Sequence, residues 1–373
     1  MQSGILRLLI TGMVLFFSLN AQGQRWMGLR GEADTTEADK QGFVLLPLFY
    51  YTPDTRFAYG AAGVYYFKLK DPKTGEDSRL SYSQLLVDYT QNNQLDVWGL
   101  WNIFTPGERY LLKGELRFRN FPDRFYGFGN QTPAADMERY AYDLFSIKGL
   151  VMRNLGHHWF AGMDFHVNRD FNFKRDSDGI LENQQPTGFD GGRSIALGAV
   201  AVHDGRDNVV NAYRGHYFEF SAYFYRPVWG SQFNFQNINL IHQTYRHLGG
   251  KRVLAWQGVY RGTSGDVPFL NMPVAGGLDI LRGYPANRFR AKNMLAGQTE
   301  YRFGVWKRFG GVVFAGIGDV FDQPADFRWD ALKYSVGGGI RFAMNPAERL
   351  NIRLDYGIGR GNTAFYLIVA EAF

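Results

Sequence analysis

Between Gly42 and Phe373, apolar side chains recur at every second position and never merge into a long uninterrupted apolar stretch. The alternating runs are about ten residues long, which is the length of a tilted transmembrane strand. In Leu350 to Gly359, residues Leu350, Ile352, Leu354, Tyr356 and Ile358 share one parity, and Asn351, Arg353, Asp355 and Gly357 share the other. Successive side chains of a strand point to opposite faces, so each such run predicts one face for lipid and one for a polar interior. In hydrocarbon every backbone polar group must be paired internally, which leaves a closed barrel as the way for strands to cross a membrane. A secreted β-sandwich shares the period, but at 373 residues it would need several domains, since single cores stop growing near about 250–300 residues.

The N-terminus reads as an export address. Arg7 supplies positive charge, Leu8 to Leu19 an apolar segment and Ala21-Gln22-Gly23 small residues for cleavage, the pattern of a secretory signal peptide over residues 1–23. The apolar segment falls short of the roughly 20 residues a helix needs to span a bilayer. Residues 24–40 are polar and read as a short periplasmic lead-in, and residues 41–373 as the barrel. The chain has no cysteine, which removes disulfide frameworks, thiolate catalysis and Cys-based metal sites together. Its 32 Phe, 22 Tyr and 8 Trp fit an outer-membrane barrel. The net charge of +6 does not imply nucleic acid, because Lys and Arg are interspersed with Asp and Glu, without the one-face cluster that phosphate backbones require.

Sixteen strands are expected: Gly42–Tyr51, Phe57–Leu69, Arg79–Thr90, Gln94–Phe104, Arg109–Phe121, Arg139–Asn154, His157–Phe173, Arg193–His203, His216–Pro227, Phe233–Leu248, Arg252–Gly265, Leu295–Arg308, Gly311–Phe321, Tyr334–Asn345, Leu350–Gly359 and Phe365–Phe373. An even count returns the last strand beside the first, with both termini on one side. The longest connections, Pro122–Glu138, Asn172–Gly192, Asp266–Met294 and Asp322–Lys333, all follow odd-numbered strands. Short ones such as Asn154–His157, His247–Lys251 and Asn345–Arg349 follow even-numbered strands. That segregation predicts long loops at the far end and tight turns at the terminal end.

The segment Asp266–Met294 carries Gly276-Gly277-Leu278-Asp279-Ile280-Leu281-Arg282-Gly283-Tyr284, followed sixteen residues later by Glu300. Tyr301, Phe303 and Val305 share the apolar parity, which turns Gln298, Glu300 and Arg302 inward. A charge facing lipid at mid-membrane would cost ~2–4 kcal/mol for Arg or Lys, so the inward assignment is favoured. An Arg282–Glu300 pair cut off from water would be costly to break, and the expectation is a loop folded into the lumen and latched there.

These stretches resemble the BamA/TamA superfamily of outer-membrane barrels, also called the bacterial surface antigen family. The resemblance rests on Gly276-Gly277 leading to Leu281-Arg282-Gly283-Tyr284, on Asp204-Gly205-Arg206-Asp207-Asn208 with Gly215, on Phe314 to Phe321, and on Gly337-Gly338-Gly339-Ile340-Arg341-Phe342. It is strong from about Ile195 onward, and before that Asp123 to Asn130 is the most suggestive piece. It implies a sixteen-stranded barrel in the outer membrane of a Gram-negative bacterium, whose sixth outer loop folds inward with Gly277, Arg282, Gly283, Tyr284 and Glu300 as the latch. It further implies a role in protein insertion, assembly or translocation. The partners implied are outer-membrane lipids, client outer-membrane proteins, and periplasmic or lipoprotein partners.

The sequence departs from the family pattern in two places. No POTRA domain is expected before the barrel. In the family's Phe-x-Asp-x-Gly strand the acidic position falls on Gly316, and Asp319 becomes a second latch partner only if Gly316 or Gly318 hosts a bulge. Phe373 resembles the terminal aromatic read by the barrel-insertion machinery, with Glu371 less apolar than usual. Mechanistically, a weak seam between Gly42–Tyr51 and Phe365–Phe373 is expected to open while the latch braces the opposite wall.

Other chemistry finds little support. Aligning Gly179 of Asp176-Ser177-Asp178-Gly179 to a calcium loop puts Lys174 and Gln185 at ligand positions, which breaks the ligand set. No His-Glu-x-x-His pattern occurs, and Tyr126-Gly127-Phe128-Gly129 lacks a third glycine at phosphate-loop spacing. No catalytic, cofactor or metal site is therefore expected. The competing readings are a passive or gated pore plugged by the loop, and a lipid-handling or anchoring barrel that displays its outer loops to a partner.

Overall fold

The computed structural model describes residues 41–52, 55–346, 349–369 and 371–373. The expected signal peptide 1–23 and lead-in 24–40 lie outside the described residues. Sixteen antiparallel strands close a barrel. They are β1 Gln41–Thr52, β2 Arg56–Phe67, β3 Ser81–Thr90, β4 Leu95–Phe104, β5 Tyr110–Phe125, β6 Glu138–Gly156, β7 Trp159–Lys174, β8 Gly192–Asp204, β9 Gly215–Tyr225, β10 Phe235–His247 and β11 Val253–Gly265, then β14 Asn293–Trp306, β15 Phe309–Phe321, β16 Lys333–Asn345, β17 Leu350–Gly359 and β18 Asn362–Val369. Two short strands, β12 Val274–Ala275 and β13 Phe289–Arg290, pair with each other inside the long loop between β11 and β14.

The alternation in the sequence assigns the faces. Val313 and Ile317 on β15, Leu85 and Val87 on β3, and Tyr356 and Ile358 on β17 are exposed on the outer surface, where they meet the lipids of the membrane. On β17, Arg353 and Asp355 are buried on the opposite parity. On β14, Gln298, Glu300 and Arg302 are buried inside while Val305 is 66% exposed outside.

The strands run differently from the sequence expectation at two places. β5 and β6 extend beyond Phe121 and Arg139, pairing as far as Phe125↔Glu138. Pro122 does not end β5; it sits opposite Ala141, and its carbonyl accepts from Gln94 Nε2 at 3.1 Å. The last strand stops at Val369 instead of Phe373. Glu371 and Phe373 leave the sheet because Arg341 and Arg302, both on lumen-facing positions, take them as partners.

The seam is thinly zipped. β1 pairs with β2 through twelve residue pairs, from Gln41↔Phe67 to Thr52↔Arg56. With β18 it makes one among the described residues, Tyr51↔Leu367. The lumen beside β11, β14 and β15 is filled by the long loop. Ile280, Leu281, Tyr284 and Phe289 of the long loop pack with Val259 of β11, Met294 and Ala296 of β14 and Val320 of β15.

Candidate functional site

The loop enters the lumen as a hairpin whose tip is made by residues that tolerate left-handed backbone. Gly276, Gly277 and Gly283 have φ of +108°, +111° and +111°, and Leu281 adopts +57°. The Gly277 N–H closes the tip by donating to the Tyr284 carbonyl at 3.1 Å. Gly283 is required for a second reason. A Cβ there would lie 2.8 Å from backbone atoms of Gly357, Ile358 and Gly359, so the tip rests directly on the β17 backbone. Gly357 makes the reciprocal allowance, since a Cβ on it would lie 2.7 Å from the Arg282 carbonyl carbon.

This contact carries Arg282 to a buried acidic pair. Arg282 is 1% exposed. Its Nη2 donates to Glu300 Oε1 at 2.5 Å and its Nη1 to Asp355 Oδ2 at 2.8 Å, and its guanidinium lies 3.6 Å above the Phe314 ring. Gly337 and Gly339 of β16 leave the room: side chains there would run into the Phe314 ring and the Asp355 carboxylate. Tyr284 and β18 complete the seat. The Tyr284 hydroxyl accepts from the Arg360 N–H at 2.9 Å. The Tyr366 hydroxyl accepts from Gly283 N–H at 3.2 Å and donates to the Tyr284 carbonyl at 3.4 Å.

Further arginines tie the two carboxylates to the terminal end of the barrel. Arg302 donates to Glu300 Oε2 at 2.8 Å, to the Phe373 carbonyl at 2.8 Å and to Asn211 Oδ1 at 3.3 Å. Arg341 holds Asp355 and donates to Glu371 Oε2 at 2.8 Å, while Arg353 reaches Asp355 at 3.3 Å. Asn211 belongs to the turn between β8 and β9. There Asp207 Oδ1 accepts from the Tyr213 and Arg214 N–H groups, and its Oδ2 pairs with Arg349 at 2.8 Å. One polar network thus runs from the loop tip to the floor of the lumen.

Magnitudes separate the parts. Burying each of Ile280, Leu281, Tyr284 and Phe289 contributes about 1.5–3 kcal/mol, so apolar burial supplies most of the docking free energy. The ion pairs add less net stability because both partners lose hydration, but breaking one costs about 3–5 kcal/mol. Burial therefore brings the loop in, and Arg282 fixes where it sits.

Of the residues singled out in the sequence, the structure brings Arg282, Gly283, Tyr284 and Glu300 together, with Gly277 closing the tip. Asp319 lies elsewhere, accepting from Asn130 Nδ2 at 2.8 Å. β14 and β15 stay in register from Asn293↔Phe321 to Gly304↔Gly310, so neither Gly316 nor Gly318 hosts the bulge that would bring Asp319 to Arg282. Asp355, which the alternation placed in the lumen without a role, is the second carboxylate on Arg282. The glycines facing it on β16 were the available signal. The wall engaged is β14–β18, which ends at the seam, and not the opposite wall. The tip reaches Asp355 and Tyr366 because β17 and β18 carry the glycine backbone and the hydroxyl that its shape requires. The far side of the loop rests on the end of β5 and the stretch after it: Gly129 N–H donates to the Arg290 carbonyl at 2.7 Å, and Asn287 to Asp123 Oδ2 at 2.8 Å.

BamA from Haemophilus ducreyi lacking POTRA domains 1–3 matches with a TM-score of 0.61 at 12% identity, over 90% of this chain and 71% of that one. CdiB from Escherichia coli matches at 0.58 and 9% identity, over 91% and 64%, and CdiB from Acinetobacter baumannii at 0.54 and 13%, over 90% and 60%. The chain spans less than two thirds of either CdiB chain, and at these identities the likeness speaks to the fold. A search of the curated proteins finds no match. The model of the Omp85 superfamily domain matches residues 87–369. With most of its length matched and its sixteen strands closed, the chain belongs to the Omp85 superfamily and is a barrel of the Gram-negative outer membrane.

Proposed function

We infer that this barrel assists the insertion, assembly or translocation of proteins at the outer membrane, with the Arg282-Gly283-Tyr284 loop as its latch. The observation that carries the reading is the contrast at β1: twelve pairs with β2 and one described pair with β18. The edge of β1 that has one β18 pair among the described residues offers backbone N–H and C=O groups that template an incoming strand by β-augmentation. The loop favours this division of labour. It clamps β14, β17 and β18 together through Glu300, Asp355 and Tyr366, so the β18 side of the seam stays rigid while β1 moves. The partners of this reading are client outer-membrane proteins, delivered by periplasmic or lipoprotein factors.

The chain has no cysteine, so a disulfide between Tyr51→Cys and Leu367→Cys can lock the seam selectively. The outer-membrane proteome is then quantified in cells carrying the locked barrel, in cells carrying Arg282→Ala and in depleted cells. Loss of the same set of barrel or surface proteins in all three supports the reading, and an unchanged proteome in the locked and Arg282→Ala cells rejects it. A gated pore is the second reading. It draws on ion pairs lining the lumen of β4–β6, where Arg117 pairs with Asp96 and Lys148 with Glu115 at 2.6 Å. A steady, solute-selective conductance in planar bilayers would favour it.

A further inference from the structure

Two arginines stand directly opposite each other on the outer surface of the barrel. Arg169 of β7 pairs in register with Arg193 of β8, and both side chains are exposed. They share the parity of the lipid-facing Met163, Phe165 and Leu197, while Asp164, Ser194 and Ala196 on the other parity are buried. Arg169 lies five positions before the end of β7 and Arg193 is the second residue of β8, so the pair borders the outer loop that joins these strands. The next outward pairs toward the periplasmic end, Val167↔Ile195 and Phe165↔Leu197, are apolar. Arg169 and Arg193 therefore cap the apolar band at its outer edge, at the level of the lipid headgroups.

Like charges directly opposite on neighbouring strands destabilise a sheet. Neither guanidinium has a carboxylate partner among the described residues: Arg193 Nε donates to the Gly230 carbonyl at 2.8 Å, and Arg169 lies 5.6 Å from the centre of the Phe171 ring. The carboxylates beside the pair are engaged or turned away. Asp143, outward on β6, is held by the Asn120 and Asn172 amides, Asp190 in the loop pairs with Arg175 at 2.7 Å, and Asp170 lies on the lumen-facing parity of β7. A phosphate group carries about −1.5 to −2 charges and offers three strong acceptor oxygens, and arginine forks match it bidentately. One phosphate between the opposed side chains pairs with both and removes their repulsion. At the edge of an apolar band such a phosphate is supplied by a lipid, whose acyl chains run down over the apolar pairs below.

We propose that Arg169 and Arg193 form a headgroup site for a phosphorylated lipid of the outer leaflet, whose phosphate bridges the two guanidinium groups. The pair sits between the seventh and eighth of sixteen strands, almost diametrically across from the seam. A lipid held there tethers the wall that stays closed and touches none of the strands at the seam. The site stands independently of whether the barrel inserts proteins.

The test uses the folded barrel in detergent micelles, with bound lipid read by native mass spectrometry. Lipid A, a phosphorylated glucosamine lipid, is titrated in one arm, the same lipid stripped of its phosphates in a second, and inorganic phosphate in a third. A saturable site for the phosphorylated lipid is expected, with the other two ligands at least tenfold weaker. Arg169→Gln and Arg193→Gln should each weaken it at least fivefold, and the double variant should lose the preference for the phosphorylated form. Arg153→Gln, exposed toward the turn end of β6, should leave it unchanged. Equal affinity for the two lipids would overturn the proposal, because the acyl chains alone would then be recognised. An equal loss in Arg153→Gln would also overturn it, by showing attraction to diffuse surface charge, and inorganic phosphate binding as tightly as the lipid would assign the pair to a free anion instead.

Discussion

Removing the Arg282 guanidinium is the sharpest perturbation of the lumenal site. In Arg282→Ala, Glu300 and Asp355 lose donors at 2.5 and 2.8 Å. Hydrogen bonds to charged groups contribute about 1.5–3 kcal/mol each, so the two sum to about 3–6 kcal/mol. Neither carboxylate is orphaned, however, because Glu300 keeps Arg302 at 2.8 Å and Asp355 keeps Arg341 and Arg353. The loss should therefore fall near the low end, about 3 kcal/mol, which is roughly a hundredfold in the docking equilibrium of the loop. The loop still docks, since its four buried apolar side chains remain; what rises is the population of the opened state. Two amides report on that state: Gly277 N–H, bonded to the Tyr284 carbonyl, and Gly283 N–H, bonded to the Tyr366 hydroxyl. Their hydrogen exchange in detergent should accelerate about a hundredfold, with amides of β14 and β17 unchanged, because local opening and global unfolding have separate free energies. Unchanged protection at both glycines would refute the reasoning, as would equal acceleration across the wall.

Three other perturbations probe the same assembly. Gly283→Ala leaves every charged group in place but sets a methyl 2.8 Å from the β17 backbone at a φ of +111°; exchange at Gly277 should rise at least as much as in Arg282→Ala, and normal protection would show that the tip does not need this close approach. Arg302→Gln should free Phe373 from the lumen floor while Arg341 still holds Glu371, so that maleimide labels Phe373→Cys at least several-fold faster in that background; equal labelling rates would deny Arg302 this role. Asp207 lies in the turn beyond β8, where burial opposes its charge but Arg349 and the Tyr213 and Arg214 N–H groups prevail, holding its carboxyl below the usual carboxylate range. A depressed folded pKa makes the clasp fully present above about 3.9, the unfolded value, and lost as pH falls through the folded one. Exchange protection at Tyr213 and Arg214, corrected for the intrinsic rate, should persist at pH 5 and fail only in stronger acid; loss between pH 5 and 7 would contradict the assignment.

What could be read from the sequence was whatever depends on the backbone's own period. Alternation over Leu350–Gly359 and Gln298–Val305 sorted side chains into lipid and lumen sets, because a strand's geometry separates the faces without regard to its neighbours. The even strand count, the long outer loops and the inward direction of Glu300 follow from the same local rule. So does the need for glycine at the loop tip, where left-handed backbone excludes most side chains.

Contacts between distant segments were decided only in three dimensions. Asp355 stands 73 positions from Arg282 along the chain, and nothing local to either residue announces the pair; it exists because Gly283 lets the tip lie on β17 and Gly337 and Gly339 vacate the space beside it. The fate of Asp319 turned on register, which strand propensity does not specify. Glu371 and Phe373 continue the alternating pattern, yet Arg341 and Arg302 draw them from the sheet, since a buried guanidinium gains more from a carboxylate or carbonyl than a strand end gains from one more pair. That choice shortens β18 and leaves β1 with a single described partner across the seam.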